Sequence, residues 1–200
     1  MGERSNPIKL VVLDRDGTIN EDSAEFVKSP AEWEPLPGAL EAIARLNHAG
    51  WHVVVASNQS GLGRGLFDVD MLNAIHTKMH KALAAVGGRI DAVFYCPHAP
   101  TEGCRCRKPE SGLFEQIGER YGVDLADVPA VGDTLRDVQA GSAVGCQPHL
   151  VLTGKGAAFR NRALPEGFPA NTQVHEDLAA FVGALLARDA GSTHEGSPYV

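Results

Sequence analysis

Two carboxylates, Asp14 and Asp16, stand directly after an apolar run that is typical of a buried strand. Side chains alternate between the two faces of an extended chain, so both acids point the same way. In an open α/β sheet, ligands bind beyond the carboxyl ends of the strands. Two acids so close repel each other unless a cation lies between them, which indicates Mg²⁺ and chemistry at phosphorus. A D-x-D pattern alone is more often an acidic turn, so further residues must support the site.

Three further groups of polar residues follow predicted strands or precede predicted helices. Ser57 and the glycine-rich turn after it suit binding of phosphoryl oxygens, or form a plain polar turn. Lys108 would neutralise a transferring phosphoryl group and hold a nucleophilic carboxylate, or is a solvated lysine. Asp133 is a candidate Mg²⁺ ligand, whereas Asp137 either joins that site or caps the following helix.

Four side chains with metal-ligating chemistry crowd into one short segment: Cys96, His98, Cys104 and Cys106. Three thiolates and an imidazole form a good tetrahedral set for Zn²⁺. A disulfide would strand one of the cysteines and ignore the histidine, so zinc is favoured. We expect a structural zinc ion that fixes the loop delivering Lys108 to the phosphoryl group and Arg107 to the substrate.

The elements that must position these groups alternate between short β-branched runs and helical patterns, which predicts an α/β fold with a parallel sheet covered by helices on both faces. The predicted strands are Lys9–Leu13, His52–Ala56, Ala92–Tyr95, Ala130–Val131 with its neighbours, and His149–Leu152. The predicted helices are Ala39–His48, Val69–Val86, Gly112–Tyr121, Asp137–Val144 and Glu176–Ala187.

Several segments fall outside this alternation. A polar excursion, Asn20–Leu36, follows the first acidic pair, and a loop over Gly154–Gln173 is long enough to be functional or mobile. We predict one domain over residues 1–188 and a disordered tail over residues 189–200.

Composition narrows the classes of partner. The 200 residues carry 18 basic and 25 acidic side chains, a net charge of −7, which argues against nucleic acid as a partner. A small anionic substrate remains compatible, because a local basic pocket can outweigh the global charge. The sequence has no apolar stretch near the length of a membrane span and no signal-peptide pattern. We therefore expect a cytoplasmic monomer without a membrane partner.

In order, D-x-D-G-T, a serine at a strand end, Lys-Pro and G-D-x-x-x-D resemble the motifs of the haloacid dehalogenase superfamily of phosphatases. The resemblance implies a Rossmann-like, doubly wound parallel sheet and phosphoryl transfer through an aspartyl phosphate. It implies that Asp14 is the nucleophile, that Asp16 is the general acid/base, and that Ser57 and Lys108 bind the phosphoryl group. Mg²⁺ would be held by Asp14, Asp133 and the backbone carbonyl of Asp16.

The zinc-binding loop and the C-R-K-P run at its end are similar to those of the D-glycero-D-manno-heptose 1,7-bisphosphate 7-phosphatases, in which this loop substitutes for a large cap. That resemblance implies a small sugar phosphate as substrate and a role in bacterial lipopolysaccharide biosynthesis. The related histidinol-phosphate phosphatases share the loop, so histidinol phosphate remains an alternative substrate. The expected substrate-binding residues are Asn20, Asp22, Phe26, Asn58, Gln59, Ser60 and Arg107.

Two departures from that family concern substrate binding. The excursion lacks the usual D-H-G-Y-type run, and Thr134 stands where many members have a lysine after G-D in the fourth motif. One cationic contact to the distal phosphate is therefore expected to be missing.

Two alternatives differ in their chemistry. A polynucleotide 3′-phosphatase is disfavoured by the acidic balance of the chain. A phospho-accepting receiver module also gathers acids, a hydroxyl and a lysine around Mg²⁺, but it needs neither an acid at position 16 nor a zinc loop.

Overall fold

A computed structural model of the chain describes residues 8–192, which form a six-stranded sheet with helices on both faces. Every neighbouring pair of strands is parallel, and the strand order is β3-β2-β1-β4-β5-β6. The strands are β1 (Leu10–Leu13), β2 (His52–Asn58), β3 (Ala92–Cys96), β4 (Pro129–Gly132), β5 (Gln147–Val151) and β6 (Gln173–His175). The predicted α/β fold is confirmed.

Six helices connect the strands and close the chain. They are α1 (Ala39–His48), α2 (Ser60–Gly63), α3 (Val69–Ala85), α4 (Gly112–Tyr121), α5 (Leu135–Ser142) and α6 (Leu178–Ser192). Short 3₁₀ turns cover Pro30–Glu32, Pro100–Glu102, Leu125–Asp127 and Gly154–Phe159. Within residues 8–192, no helix has both the length and the apolar character needed to cross a membrane.

The strand sequences explain the two layers of helices. In β1, Val11 and Leu13 pack into one apolar cluster with α1, α3 and α6. Leu10 and Val12 point to the other face, where they join a cluster with α4 and α5. A central strand of a parallel sheet is buried on both faces, so it reads as an unbroken apolar run rather than an alternating one.

The order of the strands places the cleft. The chain runs outward from β1 to β2 and β3, then returns to the other side of β1 to form β4, β5 and β6. Connections that leave β1 and β4 in opposite directions open a crevice at the carboxyl ends of these neighbours. Asp14 and Asp133, which directly follow β1 and β4, therefore meet at this switch point.

One strand, β6, was not predicted from the sequence patterns. β6 begins at Gln173, the last residue of the segment interpreted as a loop. It is an edge strand of three residues that pairs with His149–Val151 of β5. Two of its three residues are exposed, so it carries neither a buried apolar run nor a strict alternation.

The predicted disordered tail begins too early. α6 continues to Ser192, because the carboxylate of Asp189 accepts hydrogen bonds from Lys9 Nζ (2.7 Å) and Trp51 Nε1 (3.3 Å). These contacts fix the end of the helix to the residues that directly precede β1 and β2. The rest of the predicted tail, residues 193–200, lies outside the described residues.

Candidate active site

Lys108 lies between the acids at the ends of β1 and β4. Its Nζ donates to Asp14 Oδ1 at 2.9 Å and to the carbonyl oxygen of Ala56 at 2.7 Å, and it pairs with Asp137 Oδ1 at 2.6 Å. The side chain is 2% exposed, so its charge is solvated by these oxygens rather than by water. Lys108 is therefore a fixed internal cation, and the interpretation as a solvated lysine is wrong.

Asn58 holds the backbone of Lys108 through two hydrogen bonds. Asn58, at the end of β2, donates from Nδ2 to the carbonyl oxygen of Lys108 and accepts the Lys108 backbone N–H at Oδ1, both at 3.0 Å. This pair of hydrogen bonds aligns the lysine with the strand end that carries Ser57. Asn58 therefore lines the cleft, but both atoms of its side-chain amide are used to hold the backbone of Lys108.

Asp16 is surrounded by hydrogen-bond donors. Arg15 Nε and Nη2 each approach a different carboxylate oxygen at 3.0 Å, Asn20 Nδ2 donates at 2.9 Å, and Gln59 Nε2 donates at 3.0 Å. Burial alone would raise the pKa of Asp16, but Arg15 and the amide donors outweigh it and hold that pKa below its ordinary value. In the free protein Asp16 is accordingly a carboxylate, able to accept a proton.

Arg15 is a functional neighbour that the sequence patterns did not identify. Its side chain is fully buried, and Nη1 lies 3.2 Å from Nε2 of His76 on α3. Burial and the positive charge of Arg15 lower the pKa of His76 to about 4, so the ring is neutral and its Nε2 can accept from the guanidinium. The D-R-D spelling gives no hint that the arginine turns inward, because its partner lies 61 residues away.

Asp14, Asp133 and Asp137 form the carboxylate cluster of the site. One oxygen from each lies within 4.8 Å of the others. Burial raises the pKa of Asp14 to about 7 against the opposing effect of Lys108. Burial, together with the charges of Asp14 and Asp137, raises the pKa of Asp133 to about 8. The single positive charge of Lys108 therefore does not balance the negative charge that three ionised carboxylates would carry.

The donor set of this cluster fits Mg²⁺. Asp133 Oδ1 is buried without a hydrogen-bond partner, while Oδ2 accepts the backbone N–H of Lys155 at 2.8 Å. A free, buried carboxylate oxygen beside a second carboxylate supplies the hard ligands that Mg²⁺ prefers. The side chain of Asp16 points to its own donors instead, so its backbone carbonyl remains the expected ligand from that residue.

Asp137 takes the helix-capping role, one of the two that the sequence left open, and also contacts Lys108. Its Oδ2 accepts from the backbone N–H and the hydroxyl of Thr134, at 2.9 and 2.6 Å, and so caps α5. Its Oδ1 pairs with Lys108. A Cβ at Gly132 would collide with the Asp137 side chain, which explains the glycine in the fourth motif.

Gly17 permits the close approach of the first and fourth motifs. Its φ of +83° belongs to the left-handed region, and a Cβ there would collide with the carboxylate of Asp133. The carbonyl of Gly17 also accepts from the hydroxyl of Thr153 at 2.6 Å. The turn after Asp16 is thereby fixed against the loop after β5.

The Ser57–Ser60 segment lines the cleft as expected. Gln59 Nε2 donates to Ser57 Oγ at 2.8 Å while also donating to Asp16. Because Ser57 accepts this hydrogen bond, its own hydroxyl proton is free for an oxygen of a ligand. Ser60 is buried at the start of α2, where the chain turns out of the sheet.

The excursion after β1 forms one wall of the cleft. Asn20 is buried and holds Asp16, whereas Asp22 lies at the cleft and pairs with Lys155 Nζ at 2.7 Å. Phe26 also lines the cleft and has the guanidinium carbon of Arg64 5.6 Å from its ring centroid. Asp22 is thus already neutralised by a basic residue that the sequence patterns left unassigned.

The cleft has a volume of about 330 Å³, which suits a phosphorylated sugar. The acids, Lys108 and Arg107 all line it. Arg64 and Arg136 also line it, although neither is in a motif that the sequence singled out. Burial, and then the proximity of Arg136 and Arg64, lower the pKa of Arg107.

The expected zinc ligands converge. The ligand atoms of Cys96, His98, Cys104 and Cys106 all lie within 4.8 Å of one another, and none of these cysteines is in a disulfide. Two sulfurs, of Cys96 and Cys104, are 3.6 Å apart, and His98 Nδ1 is 3.2 Å from Cys106 Sγ. Three thiol sulfurs and an imidazole nitrogen gathered this closely are the donor set of a structural, tetrahedral Zn²⁺ site, so the residues fit zinc.

The loop of residues 96–106, which carries the four expected zinc ligands, contacts the Ser57–Ser60 segment and the short helix α2. The backbone N–H of Gln59 donates to the carbonyl of Cys96, and that of Gly63 donates to the carbonyl of Pro97, both at 2.8 Å. A Cβ at Gly63 would collide with the backbone of Ala99. The loop therefore positions both Lys108, which lies just after it, and the turn that carries Ser60.

Comparison with known proteins connects this geometry to a family. Residues 105–181 match the family model described as HAD-hydrolase-like. The chain is 59% identical over 179 residues to the D-glycero-β-D-manno-heptose-1,7-bisphosphate 7-phosphatase of Bordetella bronchiseptica, covering 90% of this chain and 98% of the relative. It is 50% identical to the enzyme of the same name from Pseudomonas aeruginosa, covering 88% and 97%.

Solved structures agree with the sequence comparisons. The D,D-heptose 1,7-bisphosphate phosphatase of B. bronchiseptica, complexed with magnesium and phosphate, has a TM-score of 0.87 and 58% identity, over 90% of this chain and 99% of that one. The corresponding Burkholderia thailandensis structure has a TM-score of 0.69 and 55% identity, over the same shares. The chain belongs to the D-glycero-D-manno-heptose 1,7-bisphosphate 7-phosphatase family of the haloacid dehalogenase superfamily.

Proposed function

We propose that this protein is a Mg²⁺-dependent phosphatase that removes the 7-phosphate of D-glycero-D-manno-heptose 1,7-bisphosphate. The observation that carries the proposal is the contact of Asp14 with Lys108 beside a second acid, Asp16, that has its own set of donors. The relatives at 59% and 50% identity are named for the β anomer, and we extend the proposal to that anomer.

Asp14 is the proposed nucleophile. Lys108 occupies its Oδ1, which leaves Oδ2 to attack phosphorus. The bond from phosphorus to Asp14 forms as the bond to the C7 oxygen breaks, and the product is an aspartyl phosphate. Mg²⁺, bound by the carboxylates of Asp14 and Asp133 and the carbonyl of Asp16, would mask negative charge between nucleophile and ester.

Asp16 is the proposed general acid/base. A bound phosphate group adds negative charge near Asp16 and so favours its protonated form. Asp16 then gives its proton to the leaving C7 alkoxide and afterwards takes one from the water that attacks the aspartyl phosphate. That attack breaks the bond between phosphorus and Asp14, releases inorganic phosphate and restores both carboxyl groups. Arg15, Asn20 and Gln59 keep the carboxylate oriented through both steps.

Ser57 and Lys108 are the proposed binders of the transferring phosphoryl group. The hydroxyl of Ser57 has its proton free, because Gln59 donates to its oxygen. Lys108 is held in place by Asp137 and the carbonyl of Ala56, so its charge needs no reorganisation during the reaction. The zinc-binding loop is proposed to act structurally, through Lys108 and the backbone of Gln59.

We also propose a single catalytic domain, extended from the predicted boundary at residue 188 to the end of α6 at Ser192, that works in the cytoplasm as a monomer. The continuous sheet of residues 8–192 supports the single domain. Sedimentation velocity of the purified protein at several concentrations tests the monomeric state. A stable dimer would show a higher sedimentation coefficient at every concentration, and reversible association would raise the coefficient as the concentration increases.

Phosphate release tests the function. The protein should hydrolyse heptose 1,7-bisphosphate with Mg²⁺ and lose activity when the metal is chelated. Histidinol phosphate is the informative comparison substrate, because related enzymes share the zinc-binding loop. Faster turnover of histidinol phosphate than of the heptose bisphosphate would overturn the proposed substrate, and equal turnover with and without Mg²⁺ would overturn the metal requirement.

A further inference from the structure

His76 is a polar residue on the buried face of α3. The apolar side chains of Ile75, Met79 and Leu83 anchor this helix in the cluster on one side of the sheet. His76 is 9% exposed and lies among them, whereas His80, one turn later, is exposed to solvent. The helix therefore holds the His76 ring at a fixed place beside the sheet.

The ring of His76 contacts the guanidinium of Arg15. Arg15 Nη1 lies 3.2 Å from His76 Nε2, and the Arg15 side chain is fully buried. Burial and the charge of Arg15 lower the pKa of His76 to about 4, so the ring is neutral at pH 7. The ring also lies edge-on to that of Tyr95, with the centroids 6.4 Å apart. A neutral acceptor therefore faces one nitrogen of the guanidinium.

The other two nitrogens of Arg15 bind the carboxylate of Asp16. Nε lies 3.0 Å from Oδ1 and Nη2 lies 3.0 Å from Oδ2, so the two planar groups meet through two parallel contacts. Because a guanidinium is rigid and planar, fixing Nη1 at His76 also fixes the direction of these contacts. The Asp16 side chain is 23% exposed and lines the cleft. The contact with His76 thus acts, through Arg15, on a group that faces the ligand.

A neutral acceptor suits position 76 better than a charged one. Without an acceptor, Nη1 of Arg15 would be a buried donor with no partner, which costs free energy and favours rotation of the guanidinium. A carboxylate at this position would satisfy the donor, but it would compete with Asp16 for the charge of Arg15. The imidazole satisfies Nη1 and leaves that charge directed at Asp16, whose pKa it lowers.

We propose that His76 is a positioning residue for proton transfer: by accepting from Arg15 Nη1, it holds the guanidinium in the orientation that aligns Asp16 with the leaving group. This inference rests on the proposed function, since it assumes that Asp16 protonates the leaving alkoxide. Asn20 and Gln59 donate to Asp16 independently, so loss of the His76 contact should weaken the alignment without abolishing it. Misplacement of a catalytic group by about 1 Å costs on the order of a hundredfold in rate.

His76→Phe tests the inference, because it removes Nε2 and keeps an aromatic ring beside Tyr95. The exposed neighbour on the same helix supplies the matched control, His80→Phe. The quantity to measure is kcat/KM on two esters: heptose 1,7-bisphosphate, whose alkoxide needs a proton, and 4-nitrophenyl phosphate, whose stable anion leaves without one. Because kcat/KM reports the steps up to release of the first product, the later hydrolysis of the aspartyl phosphate does not contribute.

In H76F, kcat/KM should fall about ten- to a hundredfold on the bisphosphate and change little on the aryl ester. The retained rate on the aryl ester shows that the site is folded. His76→Gln should recover part of the rate on the bisphosphate, since its amide oxygen can also accept from the guanidinium. H80F should behave as the unmodified protein on both esters.

Nitrogen NMR of the histidine rings supplies a readout that needs no turnover. At pH 7 His76 should be the neutral tautomer that carries its proton on Nδ1, which leaves Nε2 free to accept from Arg15. Loss of its resonances in H76Q assigns the ring.

Four results would overturn the inference: an unchanged kcat/KM of H76F on the bisphosphate, an equal fall on both esters, no recovery in H76Q, or a proton on His76 Nε2. Failure of the proposed function has a different signature, because the unmodified protein would then release no phosphate from the heptose bisphosphate. The tautomer of His76 is measured without substrate, so in that case it still tests the contact with Arg15.

Discussion

Replacing Lys108 with methionine removes the ammonium group that lies between Asp14 and Asp137, while a side chain of similar length fills the space. Lys108 is 2% exposed and makes three contacts of 2.6–2.9 Å with oxygens of Asp14, Asp137 and Ala56. Removing one member of a buried, hydrogen-bonded charge group costs about 3–5 kcal/mol, because the remaining charges stay buried without compensation. The unfolding equilibrium should shift by roughly 150- to 5,000-fold.

The pH dependence of this loss distinguishes charge from packing. The pKa values of Asp14 and Asp133 are already raised, to about 7 and about 8, so in the metal-free protein the folded state binds more protons than the unfolded state between pH 4 and pH 8. Stability therefore falls as pH rises through this window. Lys108 holds the pKa of Asp14 down, so without it that pKa rises further, and the deficit of K108M should be largest near pH 8 and smaller near pH 5.

Urea denaturation of the unmodified protein and K108M at pH 5 and pH 8, in chelator and in Mg²⁺, measures the effect. Mg²⁺ should recover part of the loss, since it supplies a replacement cation, and it should stabilise the unmodified protein more at pH 8 than at pH 5. Adding Asp137→Asn to K108M should also recover stability by removing one of the unpaired charges. An equal deficit at both pH values, unaffected by Mg²⁺ and by the second substitution, would refute the electrostatic reasoning.

Three further outcomes are expected. Asp16→Asn should lower kcat by about 10²–10⁴-fold because it cannot transfer the proton, whereas Mg²⁺ binding measured by calorimetry should survive; unchanged turnover would reject the acid/base role. Cys104→Ser should lower zinc content, measured by mass spectrometry of the metal, and turnover together; full activity in a zinc-free protein would reject the bracing role of the loop. Burial lowers the pKa of His149 to about 3, so the unfolded state binds a proton that the folded state excludes, and stability should fall by about 1.4 kcal/mol per pH unit below pH 6.5. His149→Leu should remove that part of the slope in urea titrations, and an unaltered slope would show that other groups cause it.

The parts of the site that could be predicted from sequence are those carried by short local patterns. Asp14, Asp16 and Asp133 each follow an apolar run that becomes a central strand, and strand ends of a parallel sheet meet at one edge. The zinc ligands lie within eleven residues, so their spacing alone indicates a metal. The sequence was also enough to place the helices of both layers.

The features that could not be predicted depend on contacts between distant segments. No sequence pattern singled out Arg15, yet its side chain is fully buried and its Nη1 lies 3.2 Å from Nε2 of His76. Arg64 and Arg136 lie in no motif, and they become neighbours of Arg107 only when α2 and α5 pack beside the zinc-binding loop. Spacing along the chain carries no information about such meetings.

The central claim is that Asp14 carries the phosphoryl group during turnover. Mixing the protein with heptose 1,7-bisphosphate and Mg²⁺, quenching in acid within the first turnover and mapping the peptides by mass spectrometry tests it most directly. We expect one phosphoryl group on the peptide that contains Asp14, and neither this adduct nor phosphate release in Asp14→Asn. Phosphate release at the normal rate from Asp14→Asn, or a phosphoryl group found on a different residue, would contradict the claim.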